Sequence, residues 1–595
     1  MFVELFNANL RFIKCERVVS MHDKKLKTAL SVAILAVFAL SAFAEYEADC
    51  KAAAKRKRNV MYYELGYNPC LWPKNKPFSA AAFRSVNCAN DSLDAYAHTK
   101  VNIDSFVYVP IGGFALLSAK IPGVDTPSIQ PNKNTRYLAG VRNAMPDFLK
   151  AGTDPLAEVC KWARDNKKEM ICCLPVNNIS HDDGDEKVGP GMWNNYFASP
   201  WKKKNATSLM GDKSGSTKAK AEYSKRETPP YCHKWAVDYG KTEVRAKFIE
   251  MATGIVDKYD IDGLMVDFTF APYLFKSVAW GEVASGKELT DLTDMLTKIR
   301  AACKAASAKK GHAIMLVIRV PDSIGYCKDI GIDLNAWAEA KLFDILVAGG
   351  NFELNPPSVM GDFAKKAGVP YYQSCGVSYI FTGNDSGYPD DDERPGLIRQ
   401  GPHCFRGRAM NAYKGGASGI MYWNPTRWHR FPLRSLAPSP DEMKYENKRY
   451  CVTYQYQGEM RHAVKDGEKH CTLPQLFSGS PRDLGKGPVK FPINVWDDLP
   501  ALKKEGKKVP IVRLTTEVSL PSGTEVSVQL NGKVLKLRKK RAGSQIFDVP
   551  YEIAKYGANE VIVKASGKNK RGQMPKLGNI AIDVIFNEDD GEVAQ

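Results

Sequence analysis

The sequence has no C-x-x-C pair among its 14 cysteines. Structural zinc sites usually hold such closely spaced cysteines, so a zinc-stabilised fold is not expected. The chain also lacks a glycine-rich phosphate loop after its first predicted strand and any internal repeat. These absences argue against a dinucleotide-binding fold and a repeat protein. No stretch beyond the N-terminus is long and apolar enough to cross a bilayer.

The N-terminus has the pattern of a secretory signal. Lys24, Lys25 and Lys27 precede the apolar stretch TALSVAILAVFAL, and the small residues AFA end at Ala44. Because the apolar core is short for a membrane span, cleavage after Ala44 is favoured over an uncleaved anchor helix. We therefore expect residues 1–44 to be removed and the protein to be secreted or periplasmic.

The net charge and the cysteine count indicate which partners the protein favours and how its thiols can pair. The formal net charge is +18, and about +15 remains without residues 1–44. Such a charge favours polyanionic partners, which for an exported protein include anionic polysaccharides. The mature chain would keep 13 cysteines, an odd number that implies at least one free thiol or an intermolecular bond. Cys172 and Cys173 are adjacent in a predicted strand, so they should face opposite sides of it.

From about residue 58 the chain alternates between apolar, β-branched or aromatic runs and amphipathic helical stretches. Eight such runs occur: NVMYYELGY, SFVYVPIGG, MICCLPVNN, GLMVDFTF, AIMLVIRVP, FDILVAGGNF, VPYYQSCGV and SGIMYWNPT. Strands that alternate with helices predict a parallel sheet, and near-continuous apolar strands predict burial on both faces. Eight units favour an α/β fold of the (β/α)₈ TIM-barrel type over residues 45–430. A doubly wound open sheet is the alternative.

The sequence pattern changes after the eighth apolar run. Residues 431–507 are irregular and rich in Pro, Gly and charge, which is typical of a linker region. From 508 to 595, short alternating runs are separated by turns such as LNG and YGAN, and they predict a small all-β sandwich domain.

One acidic residue stands at the end of the fourth predicted strand, GLMVDFTF. In barrels of this kind, active-site residues lie at the C-terminal ends of the strands. Asp267 ends this strand and is therefore a candidate catalytic residue, whereas Asp262 precedes the strand and is expected to be structural. A glycosidase needs a second carboxyl group across the scissile bond. Glu353, which follows the sixth strand, is the leading partner of Asp267.

The other strand ends supply candidate substrate-binding residues. These are Glu64, Tyr67, Asn177, Arg319, Asp322, Gln373, Tyr422, Trp423 and Asn424, together with Trp193 from the long loop after the third strand. Arg319 is expected either to bind an anionic sugar group or to pair with a buried carboxylate. The long loop, residues 177–238, is rich in aromatic residues that suit sugar rings, although part of them could simply pack the loop onto the barrel.

Two charged runs have simpler explanations available. Asp390 to Glu393 are four consecutive acids whose spacing matches no calcium loop, so a solvated acidic loop is favoured. The run from Lys536 to Arg541 could contact a sulfated or uronic glycan, but a solvated hairpin rim is favoured.

With these residues in view, a resemblance can be stated. The stretch WAVDYGKTEVRAKFIEMATGIVDKYDIDGLMVDF resembles the glycosyl-hydrolase-like, "family 10-like" TIM-barrel proteins of secreted bacterial type, and two later stretches, IRVPDSIGYCKDIGIDLNAWAEAKLFDILVAGG and RGRAMNAYKGGASGIMYWN, are similar to the same group. More distantly, the chain resembles barrel glycosidases with a fourth-strand aspartate nucleophile and a sixth-strand acid. This resemblance implies that Asp267 is the nucleophile and Glu353 the acid/base. Related chains often have Arg where this chain has Phe270.

The sequence therefore predicts an exported glycoside hydrolase that cleaves a polysaccharide or oligosaccharide without a metal or cofactor, and anionic or sulfated glycans are among the candidate substrates. Nucleic acid is not expected as a partner, nor is a membrane after signal cleavage. Carboxyl groups about 5 Å apart would indicate retention and about 6.5–9.5 Å inversion, and the sequence leaves both open. The alternatives are a catalytically inactive barrel that binds glycan and a structural envelope protein, since a fold alone does not define function.

Overall fold

The computed structural model describes most of the two predicted regions. It covers residues 44–65, 72–73, 104–124 (except 113, 117–118 and 123), 141–177 (except 143–144), 199–211, 229–232, 236–376 (except 270 and 351), 402–423, 439–454, 463–476, 481–507 and 509–587 (except 568 and 570). Part of each of the eight predicted strands and most of the predicted β-region fall within these ranges.

Eight parallel strands form the first sheet. They are β1 Val60–Leu65, β2 Ser105–Val109, β3 Glu169–Pro175, β4 Gly263–Asp267, β5 Met315–Val320, β6 Ile345–Ala348, β7 Tyr371–Gly376 and β8 Gly419–Trp423. Each strand pairs in parallel with its chain neighbours, and β1 pairs with both β2 and β8, which closes the order into a ring. The prediction of a parallel sheet in an α/β fold is confirmed.

The strands are apolar on both faces because one face lines the interior of the ring and the other packs against helices. Met265 and Val317 belong to the interior cluster, whereas their neighbours Leu264, Val266 and Ile318 belong to the outer core under the helices. The two adjacent cysteines follow the same alternation. Cys172 lies in the outer core and Cys173 in the interior, as predicted.

Helices lie between consecutive strands from β2 to β8. In chain order the helices are α1 (44–54), α2 Met145–Lys150, α3 Pro155–Asp165, α4 Pro200–Lys204, α5 Thr242–Lys258, α6 Lys276–Ala279, α7 Gly286–Lys310, α8 Ile324–Asp329, α9 Leu334–Glu339, α10 Ser358–Ala367, α11 Pro402–Lys414 and, in the C-terminal region, α12 Leu499–Lys504. The segments that follow β1 and β8 lie mostly outside the described residues. The full eightfold β/α repeat therefore stays a prediction.

Helix α1 lies against the N-terminal end of the strand ring. Its residue Ala54 belongs to the interior cluster. Just beyond it, Arg58 makes a bidentate ion pair with Glu169, with both N–O distances 2.6 Å and both side chains buried. A bidentate pair of this kind is geometrically specific. The candidate site lies at the opposite, C-terminal ends of the strands.

The C-terminal region forms two antiparallel sheets. Their strands are β9 Lys448–Cys451, β10 Arg482–Asp483, β11 Val489–Val495, β12 Ile511–Ser519, β13 Glu525–Leu530, β14 Lys533–Val534, β15 Lys536–Arg541, β16 Ser544–Asp548, β17 Gly557–Ser566 and β18 Lys576–Ile585. One sheet has the order β9-β18-β12-β16-β15, with β10 also pairing β18, and the other has the order β11-β17-β13-β14. Alternating buried residues of both sheets, such as Leu514 and Val563, share one apolar core.

Strands β9 and β11 differ from the irregular linker expected for residues 431–507. Strand β9 pairs with β18, and β11 pairs with β17, so this stretch belongs to the sheets. The basic run Lys536 to Arg541 forms β15, an edge strand that is almost fully exposed, as a solvated rim would be. Within the described part of the chain, no helix combines the length and apolarity needed to span a membrane.

Candidate functional site

The predicted catalytic aspartate lies at the C-terminal end of β4. Asp267 follows Met265 by two residues, so its side chain points toward the interior of the ring. It is completely buried. Thr269 donates two hydrogen bonds of 2.8 Å to Oδ1, one from its backbone N–H and one from its hydroxyl. The residues that follow the strand therefore satisfy one oxygen of the carboxylate locally.

The second oxygen of Asp267 is held by a cation from the next strand. Arg319 is the β5 residue in register with Asp267, and its Nη1 lies 2.8 Å from Oδ2. Both side chains are buried, at 1% exposure or less. Because a lone buried charge would be very costly, each of these two side chains needs the other as its partner. Of the two expectations for Arg319, the structure places it as the partner of a buried carboxylate.

Two glycines after β6 make room for the Arg319 guanidinium. Arg319 Nε donates to the carbonyl oxygen of Gly349 at 3.2 Å, and Nη2 donates to the hydroxyl of Ser374 on β7 at 3.1 Å. A Cβ on Gly350 would lie 3.3 Å from Nη2, and Gly349 has a positive φ of 84°. Side chains at these positions would crowd the guanidinium or strain the backbone. Arg319 thus spans the ends of β4, β5, β6 and β7.

Asp322 follows β5 and organises the next loop. It is buried, and its Oδ2 accepts hydrogen bonds from the backbone N–H groups of Leu354 at 2.8 Å and Asn355 at 3.2 Å. Burial raises the pKa of Asp322 to about 7, with the two backbone donors acting in the opposite direction and the nearby Glu353 charge raising it further. Its Oδ1 has no hydrogen-bond partner among the described residues, so it can carry the proton of the neutral form.

Glu353 lies in the loop that Asp322 holds. It is buried, and its Oε2 is 3.4 Å from Nε of Arg408 on α11, close enough for an ion pair although no hydrogen bond forms between these atoms. Burial raises the pKa of Glu353, and the Arg408 charge partly offsets that rise. A raised pKa keeps a carboxyl group protonated nearer neutral pH, as a general acid requires.

The two predicted catalytic acids have different partners. Asp267 pairs with Arg319, whereas Glu353 pairs with Arg408 on a helix outside the ring. The two arginines meet at Ser374, where Arg408 Nη2 lies 3.4 Å from the backbone carbonyl oxygen. We refer to Asp267, Arg319, Ser374, Arg408, Glu353 and Asp322 together as the rim network.

Sequence reasoning missed Arg408 and Ser374. Arg408 lies one helical turn after Cys404 and one before Ala412, and all three are buried. A cation on the buried face of a predicted helix signals a buried anionic partner. This pattern was visible in the sequence, but it does not say which of the many carboxylates is the partner.

Two other predicted residues are bonded to the protein itself. The Asn177 side chain donates to the carbonyl oxygens of Val237 and Tyr273 and accepts from Val237 N–H, so it fastens two loops together. Gln373 accepts a hydrogen bond from the hydroxyl of Tyr371, two residues before it on β7.

Tyr422 differs from the expectation of a rim position. Its side chain lies in the outer core, with its ring 6.4 Å from that of Phe405 on α11, because the preceding residue Met421 occupies the interior.

Asp262, by contrast, has the structural role expected of it. Its Oδ2 accepts from Met170 N–H at 2.8 Å at the N-terminal end of the strands.

Several predicted positions lie outside the described residues or have side chains outside them. These are Glu64, Tyr67, Trp193, Trp423 and Asn424, and the acidic run Asp390 to Glu393. Glu64 and Trp423 have described backbones in β1 and β8. Among the side chains that the structure does describe, no group of three or more His, Cys, Asp or Glu could hold a metal ion.

Comparison with known proteins gives only remote similarities. No family model and no curated protein matches the chain. Among solved structures, a family GH18 chitinase from Chromobacterium violaceum is 10% identical, with 88% of this chain and 91% of that chain covered and a TM-score of 0.32. An endo-fucoidan hydrolase of glycoside hydrolase family 107 is 12% identical, covering 89% and 68% at a TM-score of 0.34. The PgaB glycoside hydrolase domain from Bordetella bronchiseptica is 10% identical, covering 64% and 98% at 0.35. All three are glycoside hydrolases, but similarities this remote establish neither family nor activity for this chain.

Proposed function

We propose that this protein is an exported glycoside hydrolase whose chemistry uses the carboxyl groups of the rim network. The observation that supports it most is the placement of three buried acids: Asp267 ends β4, Asp322 lies two residues after β5, and Glu353 lies five residues after β6. All three strands end on the face where barrel enzymes carry their active sites. Acids are costly to bury, so three at one end of a strand ring indicate a use for them.

The proposed roles follow from the different surroundings of the three acids. Asp267, paired with the Arg319 guanidinium, supplies the carboxylate that attacks the anomeric carbon or stabilises positive charge on it. Burial raises the pKa of Glu353, and this residue supplies the proton for the leaving oxygen. Asp322 is a positioning residue, because its Oδ2 holds the backbone beside Glu353. The chemistry needs no metal or organic cofactor.

The substrate we propose is a polysaccharide or oligosaccharide, and the net charge of +18 favours an anionic one. Residues 1–44 would direct export and be removed by cleavage after Ala44, and residues 45–430 would form the catalytic barrel. The C-terminal sheets would form an accessory β-sandwich.

Activity is tested by incubating the mature protein with neutral, uronic and sulfated polysaccharides and measuring new reducing ends. We expect release from at least one substrate, and Asp267→Asn and Glu353→Gln should each lower the rate at least about a hundredfold. Asp294→Asn, an exposed carboxylate on α7, is the matched control and should keep the wild-type rate. A folded Asp267→Asn or Glu353→Gln variant with a near-normal rate would remove that residue from the proposed mechanism.

One observation favours the alternative of a catalytically inactive, glycan-binding barrel. Both oxygens of Asp267 are already bonded to protein groups, and the nearest cation to Glu353 is Arg408 rather than a group beside Asp267. A carboxylate so fully engaged is also what a structural ion pair requires. Retention on an immobilised polysaccharide without any release of reducing ends would select this alternative.

A further inference from the structure

Two cysteines from different parts of the chain meet where the barrel contacts the C-terminal sheets. Cys404 lies in the first turn of α11, and Cys451 is the last residue of β9. Their Sγ atoms are 3.8 Å apart, and both residues are at most 5% exposed. Tyr454 and Ala581 complete the small apolar cluster around them.

The backbones that carry the two cysteines are held in close contact. A Cβ on Gly407 of α11 would lie only 2.0 Å from the carbonyl oxygen of Arg449 on β9, so no side chain separates the helix from the strand there. Beside it, Arg406 Nη1 donates to the carbonyl oxygen of Asn447 at 2.9 Å. The two Sγ atoms therefore need to approach by only about 1.8 Å, through side-chain rotation, to reach the S–S bond length of about 2.05 Å.

We propose that Cys404 and Cys451 form a disulfide bond in the exported protein and so link the barrel covalently to the C-terminal sheets. This proposal rests on the export proposed above, because disulfides persist in oxidising compartments, and it does not depend on glycosidase activity. The bond would use two of the 13 mature cysteines, and the odd total still implies at least one free thiol or an intermolecular bond.

The bond would form by exchange with a disulfide donor, either oxidised glutathione or an oxidised dithiol protein. One S–S bond forms between Cys404 and Cys451, and their two S–H bonds break. The donor disulfide takes up the two electrons and two protons and becomes two thiols. Burial raises the pKa of the Cys451 thiol, so little reactive thiolate exists once α11 and β9 have packed. Exchange should therefore occur during folding rather than afterwards.

Peptide mapping can test the bond directly, because trypsin places the two cysteines on separate peptides with no other cysteine. These are residues 400–406, QGPHCFR, and residues 450–461, YCVTYQYQGEMR. The full-length chain is exported by its own leader, trapped with an alkylating reagent without reductant, digested and analysed by mass spectrometry. We expect the two peptides to be found linked and to separate on reduction.

A second arm removes the dependence on export. The full chain is denatured and reduced, then refolded in a glutathione redox buffer before trapping. If both peptides are fully alkylated in this arm as well, the disulfide proposal is wrong. If the linked peptide appears only in this arm, the pairing stands and the export proposal fails. Cys404→Ser should abolish the linked peptide and leave Cys451 alkylated, whereas Cys303→Ser, a buried cysteine on α7, should leave the link intact.

The folded state provides a further readout. Reduction should lower the denaturation midpoint of the wild-type protein, and it should not change the midpoint of the Cys404→Ser/Cys451→Ser double variant. Equal sensitivity of both proteins to reductant would show that the 404–451 pair is not the bond being reduced.

Discussion

Replacing Asp322 by Asn should change how the stability of this protein depends on pH. Asp322 is fully buried, and its pKa is raised from 3.8 to about 7, first of all by burial. In the unfolded chain the same carboxyl group ionises near its ordinary pKa. Between these two values the unfolded state has lost the proton and the folded state still binds it.

The sign follows from this difference in proton binding. The folded protein binds the extra proton, so the stability that Asp322 contributes is fully present below about pH 4 and is lost as the pH rises to about 7. A rise of about three pKa units corresponds to about 4 kcal/mol of unfolding free energy over the whole range, of which roughly 3 kcal/mol falls between pH 5 and pH 8. Asp322→Asn removes this titration.

The amide of Asn can preserve the local contacts that depend on Oδ2. Its oxygen can accept from Leu354 N–H and Asn355 N–H, while its NH₂ group would replace Oδ1, which has no hydrogen-bond partner among the described residues. An unsatisfied buried donor costs about 1–3 kcal/mol, and this cost does not vary with pH. The variant should therefore be less stable than wild type at pH 5, and its unfolding free energy relative to wild type should increase as the pH rises.

The assay is denaturant unfolding of both proteins at intervals from pH 5 to pH 8. We expect the difference in unfolding free energy, variant minus wild type, to rise by roughly 3 kcal/mol across this interval. Asp294→Asn on the exposed face of α7 should give a difference that does not change with pH. If Asp322→Asn gives a pH-independent difference as well, the buried aspartate is not protonated in the folded protein, and the electrostatic account of the rim network is wrong.

Two further perturbations test ion pairs elsewhere. Arg319→Met should cost about 3–5 kcal/mol of unfolding free energy, because it leaves Asp267 buried without its cation. Adding Asp267→Asn should recover part of that loss. Equal stability of the single and double variants would refute this coupling. Burial acts to raise the pKa of Asp329, but its hydrogen bonds and ion pairs with Lys469 and His470 together outweigh burial and lower that pKa. The stability that Asp329 contributes should therefore be present above about pH 4 and lost in more acidic solution. Asp329→Asn should accordingly destabilise the protein near pH 6 and have less effect near pH 3, and an effect that grows on acidification would contradict this sign.

The strands could be predicted from the sequence because each is a local pattern. Eight apolar runs bounded by polar loops fix which residues are strands, and the strand direction fixes which end carries Asp267. The alternation of faces also predicted the separation of Cys172 from Cys173. These inferences need only the period of the strand and the rule that parallel strands end on one face.

The partners of the acids could not be predicted, because they depend on contacts between distant residues. Nothing in the sequence near Glu353 indicates Arg408, which lies 55 positions later and reaches it only through the packing of α11. The local sequence likewise does not show that Lys448–Cys451 forms a strand. It has only four residues, and its sheet partner β18 lies more than a hundred residues further along the chain. Short strands with remote partners carry too little periodicity to be distinguished from a linker.

Helix α11 connects the candidate site to the C-terminal region. Its residue Arg408 faces Glu353, while Cys404, Arg406 and Gly407 face β9 and the residue just before it. A displacement of β9 would therefore be transmitted to the cation that offsets the burial of Glu353.

The loops after β5 and β6 make a second connection of the same kind. Asn355, whose backbone N–H donates to Asp322, also donates from its side chain to the carbonyl oxygen of His470 at 3.0 Å. The hydroxyl of Thr472 donates to Asn355 in turn, at 2.7 Å. The two rim-network acids with raised pKa values, Asp322 and Glu353, thus have neighbours that are fixed by the C-terminal region. The parallel strands and the C-terminal sheets are consequently not independent modules at this face, and the protonation of the rim network should depend on the C-terminal region remaining docked.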